Sequence, residues 1–190
     1  MRLLILLLTV LAIAACAAPS HEIHLAPSPE IEPATVGRNY VVALHVDDQR
    51  ARSYLGRPRQ DEGGSGIIFT EQDVAEVVGS AVAEAFGQRG FRIRTGADIE
   101  EPRTLQVRLI GLERTHEGRE FRAEAILEVV ATNAHGEPDR RYRSRYRARY
   151  AEERPLDTPA LSERLINRAL SEAVSHMALD DGLADFLISR

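Results

Sequence analysis

Arg141-Tyr142-Arg143-Ser144-Arg145-Tyr146-Arg147-Ala148-Arg149-Tyr150 alternates arginine with a tyrosine or a small residue for ten positions. Strand side chains point to opposite faces in turn, so this stretch places five arginines on one face and Tyr, Ser, Tyr, Ala, Tyr on the other. The spacing predicts a strand over residues 140–152. Two further strands precede it. Residues 121–132 carry Phe121, Ala123, Ala125, Leu127 and Val129 on one face, and residues 104–114 carry Leu105, Val107 and Leu109. A connection over residues 133–139, with Gly136 and Pro138, returns the chain antiparallel.

Helical spacing brackets this meander. Val74, Val77, Val78, Ala81, Val82, Ala85 and Phe86 share one helix face, with Thr70 as the expected cap and Gly87 and Gly90 as the stop. After the strands, Thr158-Pro159 opens a second long helix with Leu161, Leu165, Ile166, Ala169, Leu170, Ala173, Val174 and Met177 along one stripe. Asp180-Asp181-Gly182 breaks it before a short terminal helix over 183–188. The run Tyr40-Val41-Val42-Ala43-Leu44-His45-Val46 suits a buried first strand, and a short strand over 91–94 is expected between the first helix and the meander. The fold class is α+β: an antiparallel sheet of about four to five strands with two long amphipathic helices packed on one face.

The N-terminus sets the location. Arg2 is followed by an apolar run over residues 3–13, and Ile13-Ala14-Ala15 leads to Cys16, the sole cysteine. Such a run falls short of the ~20 residues a spanning helix needs, and it fits a cleaved signal segment. Alternative readings are an ordinary signal followed by a free thiol, or a buried first helix. A single thiol directly after two small residues has no disulfide partner, and the arrangement resembles the lipobox of bacterial lipoproteins. The resemblance implies acylation of Cys16, and acyl chains at ~0.8 kcal/mol per buried methylene anchor a chain without a transmembrane helix. Ala17 after the cysteine favours the outer membrane, by similarity to sorting in enteric bacteria. The expected division is therefore 1–15 cleaved signal, 16–38 lipidated cysteine and Pro-rich tether, and 39–190 a single periplasmic domain. Pro27, Pro29 and Pro33 favour extended chain over a packed element, which would hold the domain several nanometres from the membrane.

Composition excludes some functions. Removing residues 1–15 takes one Arg and leaves 23 basic against 29 acidic residues, so a generic nucleic-acid surface is not expected. Every basic side chain is Arg, consistent first with a G+C-rich genome and second with bidentate anion contacts. With no Trp and 5% aromatics, a carbohydrate-stacking platform is poorly supported.

Arg141, Arg143, Arg145, Arg147 and Arg149 form the leading candidate site. One reading is a solvated face, with Arg122, Glu124 and Glu128 of the neighbouring strand supplying cross-strand partners. The other is a grip on a polyanion (the lipid A phosphates of lipopolysaccharide, a teichoic-type cell-wall polymer or an acidic protein surface), with guanidinium groups ~7 Å apart. Asp47 and Asp48 at the end of the first strand read either as a turn or as a general acid–base pair. His21-Glu22-Ile23-His24 lacks the spacing and further ligand of a metal site. Gly63-Gly64-Ser65-Gly66 lacks the Lys-Ser/Thr of a phosphate loop and reads as a mobile loop. His45, His116, His135 and His176 are scattered, with no Ser or Cys nucleophile motif beside them. No metal, cofactor or catalytic residue is expected.

Cys16, the Asp48-Gln49-Arg50 turn, Ala85-Phe86-Gly87-Gln88-Arg89-Gly90-Phe91, Tyr146-Arg147-Ala148-Arg149-Tyr150 and Asp180-Asp181-Gly182-Leu183-Ala184-Asp185-Phe186-Leu187 follow one another in the order that resembles the YajG family of bacterial outer-membrane lipoproteins. That family implies localisation and fold and supplies no activity. The arginine strand is richer in Arg than the family leads one to expect, so its anion reading is not borrowed. The layout is also similar to periplasmic lipoproteins that stimulate peptidoglycan synthases or assemble secretion channels, a fold-level analogy. The expectation is a non-enzymatic, outer-membrane-anchored periplasmic lipoprotein acting on protein or cell-wall polymer partners. The alternatives are an envelope enzyme or enzyme subunit using Asp47 and Asp48, and a small-ligand or anion carrier using the arginine strand.

Overall fold

A computed structural model describes residues 20–59, 66–96, 101–134 and 140–189. Cys16 and the signal segment, residues 63–65 of the glycine loop and His135 lie outside the described residues. The elements run β1 (His21–Glu22), β2 (Val41–Asp48), β3 (Ile68–Phe69), α1 (Val74–Gln88), β4 (Arg92–Thr95), β5 (Arg103–Glu117), β6 (Glu120–Asn133), β7 (Arg141–Glu153), α2 (Pro159–Ala178) and α3 (Asp181–Ile188).

Five strands form the main sheet in the order β4-β2-β5-β6-β7. The meander β5-β6-β7 is antiparallel, as its alternation leads one to expect. The rest of the sheet corrects the expectation. β2 lies parallel to both β4 and β5, so the sheet is mixed. The short strand expected between the first helix and the meander is present as β4, and it forms the far edge of the sheet beside β2. The physical reason is α1: a helix between β2 and β4 carries the chain back to the starting end, which makes the two strands parallel.

Three helices, rather than two, cover one face. α1 buries Val78, Ala81, Val82, Ala85 and Phe86, α2 buries Leu165, Ile166, Leu170 and Val174, and α3 adds Leu183 and Leu187. The cap of α1 is Asp73, whose Oδ1 accepts from Ala75 N–H at 2.9 Å and Glu76 N–H at 3.1 Å. The expected cap, Thr70, bonds the Gln72 side chain instead. Thr158 caps α2 as its sequence suggests. Asp180 caps α3, and its other oxygen accepts from the hydroxyls of Tyr142 and Tyr146, each at 2.6 Å. The tyrosine face of β7 therefore packs under the helices.

The segment expected as a free tether is part of the body from residue 20 onward. β1 pairs with β3, and Ile23, Leu25 and Ile31 are buried. Side chains replace a partner strand: Gln72 accepts from Leu25 N–H at 2.6 Å and donates to its carbonyl at 3.1 Å. Asn167 does the same for Ala26 N–H and His24 O, each at 2.9 Å. This strap lies across α1 and α2. Prolines remain compatible with it because extended chain without a continuous ladder does not need every N–H.

A bulge between Leu109 and Gly111 shifts the β5 register. Continued alternation from Leu109 would turn Arg114 outward, but the extra residue turns it inward, where its side chain is fully buried. Its guanidinium holds the Asp157 carboxylate through both terminal nitrogens, donates to Ser162 Oγ at 2.9 Å and Arg57 O at 3.2 Å, and lies 4.9 Å from the Phe121 ring. Burial opposes ionisation of Asp157, yet the hydrogen bonds from Arg114 and the Arg59 N–H hold its carboxyl below the usual range. Gly56 bridges β3 and Arg114 at φ +137°, and a Cβ there would meet the Arg114 carbonyl oxygen at 2.3 Å.

His21 packs beside this pair, 7% exposed. Burial pushes its imidazole below the usual pKa; Asp157 opposes the shift and Arg114 adds to it. The folded chain thus favours neutral imidazole, while the unfolded chain binds a proton near the ordinary ~6.5. Stability is expected to fall as pH drops below ~6.5 towards the folded value, because the unfolded state then holds more protons. A lower urea midpoint at pH 5.5 than at 7.5, with the difference reduced in His21→Leu, is the expected result. An equal difference in both proteins would assign the effect elsewhere.

Candidate functional site

The face of the sheet opposite the helices is largely uncovered among the described residues: apart from the buried Ala43, its side chains range from half-buried to exposed. β7 brings the five arginines of the leading candidate site there, every one exposed. The structure divides this row in two. At the Glu153 end the arginines are neutralised. Arg147 grips Glu124 through two hydrogen bonds of 2.6 and 2.9 Å, Arg149 bonds the same carboxylate, and Arg145 bonds Glu128. Hydrogen bonds from Arg147 and from Arg145 hold Glu124 and Glu128, respectively, below the usual carboxylate range. Exposed pairs of this kind contribute at most ~1 kcal/mol each. Arg122, expected to join them, bonds Glu117 and Glu120 instead.

At the other end the balance differs. Arg141 stands across from Thr132 and Arg143 across from Val130, so neither faces a carboxylate. Arg108 of β5 completes the group. It lies in register between Asp47 of β2 and Glu128 of β6, donates to Gln106 Oε1 at 3.4 Å, and its Nε is buried without a hydrogen-bond partner. Gln106, Arg108, Glu128, Arg141, Arg143 and Arg145 line a shallow groove of about 350 Å³. Four guanidinium groups here face one carboxylate. Planar guanidinium forks accept phosphate or carboxylate oxygens in pairs, and arginines two apart on a strand lie ~7 Å from each other, so an extended anionic group can span two of them. Sequence reasoning missed Arg108; its signal is the polar alternation of Gln106 and Arg108 between Leu105, Val107 and Leu109.

The Asp47–Asp48 candidate separates. Asp47 belongs to the open face, aligned with Arg108 and bonded by Gln106 Nε2 at 3.2 Å. Asp48 points the other way and is held by Arg50 through contacts of 2.8 and 2.6 Å. Burial opposes its ionisation, but the Arg50 bonds leave its pKa lowered. Two carboxylates on opposite faces, one locked by a guanidinium, share no proton or cation. Among the described residues no three His, Cys, Asp or Glu side chains gather as metal ligands. Nor is any described helix long and apolar enough to cross a membrane.

A model of a family described as uncharacterized lipoproteins matches residues 27–188. No curated protein matches the sequence. Among solved structures, a Xanthomonas campestris protein is similar in fold, with 12% identity over 88% of this chain and 96% of that one and a TM-score of 0.59. A second, uncharacterized protein shows 6% identity over 84% and 97% with a TM-score of 0.52. At such identities the likeness concerns the fold alone.

Proposed function

Because this chain belongs to the YajG family of uncharacterized lipoproteins, we propose that it is a bacterial envelope lipoprotein, lipidated at Cys16 in the outer membrane, whose domain faces the periplasm and acts without catalysis. Its work is to bind an anionic partner, an acidic protein surface or a cell-wall polymer, on the uncovered face of the sheet. The single observation that carries this reading is the division of the arginine row. Arg145, Arg147 and Arg149 are spent on Glu124 and Glu128. Arg141 and Arg143 stand across from Thr132 and Val130 and border the groove without a carboxylate opposite them, beside Arg108, which lies in register between Asp47 and Glu128. Keeping like charges together without partners costs stability, and a bound anion offsets that cost.

Crosslinking in cells followed by affinity recovery tests the reading. One discrete partner, recovered less readily as salt rises, is the expected result for charge-driven binding. Recovery of no partner at any salt would remove it. Anchoring has its own check: Cys16→Ser should yield a folded domain in the soluble fraction, and a variant that stays with membranes after salt washing contradicts lipidation.

A further inference from the structure

We propose that the end of the domain carrying β1 and Leu156 rests on the lipid surface that holds Cys16, with the Arg108–Arg141–Arg143 groove at the far end. This deepens the lipidation reading and rests on it. From residue 20 the chain is fixed to the body: Ser20 Oγ accepts from Ile67 N–H at 3.3 Å, and His21 pairs with Ile68. The stretch from Cys16 to Ser20 spans at most ~14 Å when fully extended. A domain on so short a lead cannot stand nanometres away from its anchor.

The same end offers what a lipid surface takes. Leu156 is 68% exposed, the more exposed of two large apolar side chains that face solvent among the described residues. It sits between Pro155, whose carbonyl accepts from Arg59 at 2.8 Å, and Asp157, which holds Arg114. Through Gly56, Arg114 connects to Ile68, the partner of His21, so Leu156 and the first described residues share one end. Around them, Tyr54 lies under Arg52 and Arg57 at 5.5 and 5.6 Å, and the β5–β6 turn presents Arg119. Glu113, Glu117, Glu120 and Glu152 are paired with Arg52, Arg122 and Arg154; Arg57 and Arg119 have no carboxylate partner among the described residues, and the exposed Glu22 and Glu153 stand at the same end. An apolar tip ringed by tyrosine and arginine suits the headgroup level of a bilayer, where aromatic rings and snorkelling cations settle. β7 leads away from this end, and roughly 33 Å of strand separates Glu153 from Arg143. Placed so, the groove is carried clear of the lipid headgroups and presented to partners in the aqueous space.

Full-length acylated protein bearing Leu156→Cys, Arg119→Cys or Arg143→Cys, labelled at the new thiol, can be reconstituted into vesicles of phosphatidylethanolamine and phosphatidylglycerol. A fraction of the lipid carries a nitroxide headgroup that quenches nearby fluorophores. Labels at positions 156 and 119 should lose most of their emission and the label at 143 almost none. Adding Leu156→Asp should restore emission at position 119. Strong quenching at 143 would lay the open face on lipid and overturn the orientation. Unquenched labels at all three positions on vesicle-bound protein would overturn the contact. If the acylated chain fails to sediment with the vesicles, lipidation at Cys16 and this proposal fall together, an outcome distinct from bound protein in another orientation.

Discussion

Arg114→Met, with Asp157 left in place, should lower unfolding stability by about 3–5 kcal/mol, because it strands a largely buried carboxylate without its cation. Arg114 joins three segments: the 55–59 loop through Arg57 O, the start of α2 through Ser162, and Asp157 itself. The decisive comparison is the double variant Arg114→Met/Asp157→Leu. Removing both charges also removes the stranded carboxylate, and well-packed apolar replacements for buried ion pairs are often neutral or stabilising. Urea denaturation should therefore show the double variant recovering much of the loss of the single one. A single variant as stable as the parent would mean that Asp157 reaches water and that the pair is not buried in solution.

Leu25→Ala should cost about 2–4 kcal/mol, the range for a large aliphatic side chain lost from a packed core. Leu25 is 2% exposed, wedged beneath the strap where Gln72 holds its backbone. Glu30→Ala, on the exposed side of the same segment, should stay within about 0.5 kcal/mol. Equal, small effects at both positions would restore the segment to a free tether and undo the short lead that sets the membrane-facing end. Matching losses by thermal and chemical unfolding would place the strap inside the same cooperative unit as the sheet.

The meander was legible because one alternation runs through most of it. The inward positions from Phe121 to Ala131 are all apolar, with Ile126 and Val130 the apolar residues on the other face, and the arginines of β7 alternate with tyrosines and small residues. The parallel placement of β2 and β4 was hidden, since an apolar run such as 41–46 carries no record of its neighbour's direction. Arg114 was hidden by the bulge: one extra residue reverses the faces, and a charged residue after Leu112 looks like a strand leaving the core. The strap was legible in part. Ile23 and Leu25 alternate with Glu22 and His24, but the prolines that follow masked the pattern, and its backbone partners are side chains of Gln72 and Asn167, distant in sequence. As for the site, the arginine row was read from sequence, whereas its division was not. Which arginines meet Glu124 and Glu128 depends on the β6–β7 register, and the arrival of Arg108 depends on β5 lying beside β6.

That division makes the central claim testable with two variants of equal charge change. Arg141→Glu/Arg143→Glu alters the two arginines with no carboxylate opposite them, and Arg147→Glu/Arg149→Glu alters the two bonded to Glu124. Crosslinking and affinity recovery in cells, run on both beside the unaltered protein, should lose the anionic partner in the first variant and keep most of it in the second. Loss in both to the same degree, or retention in both, would contradict a binding site at the Arg108–Arg141–Arg143 groove.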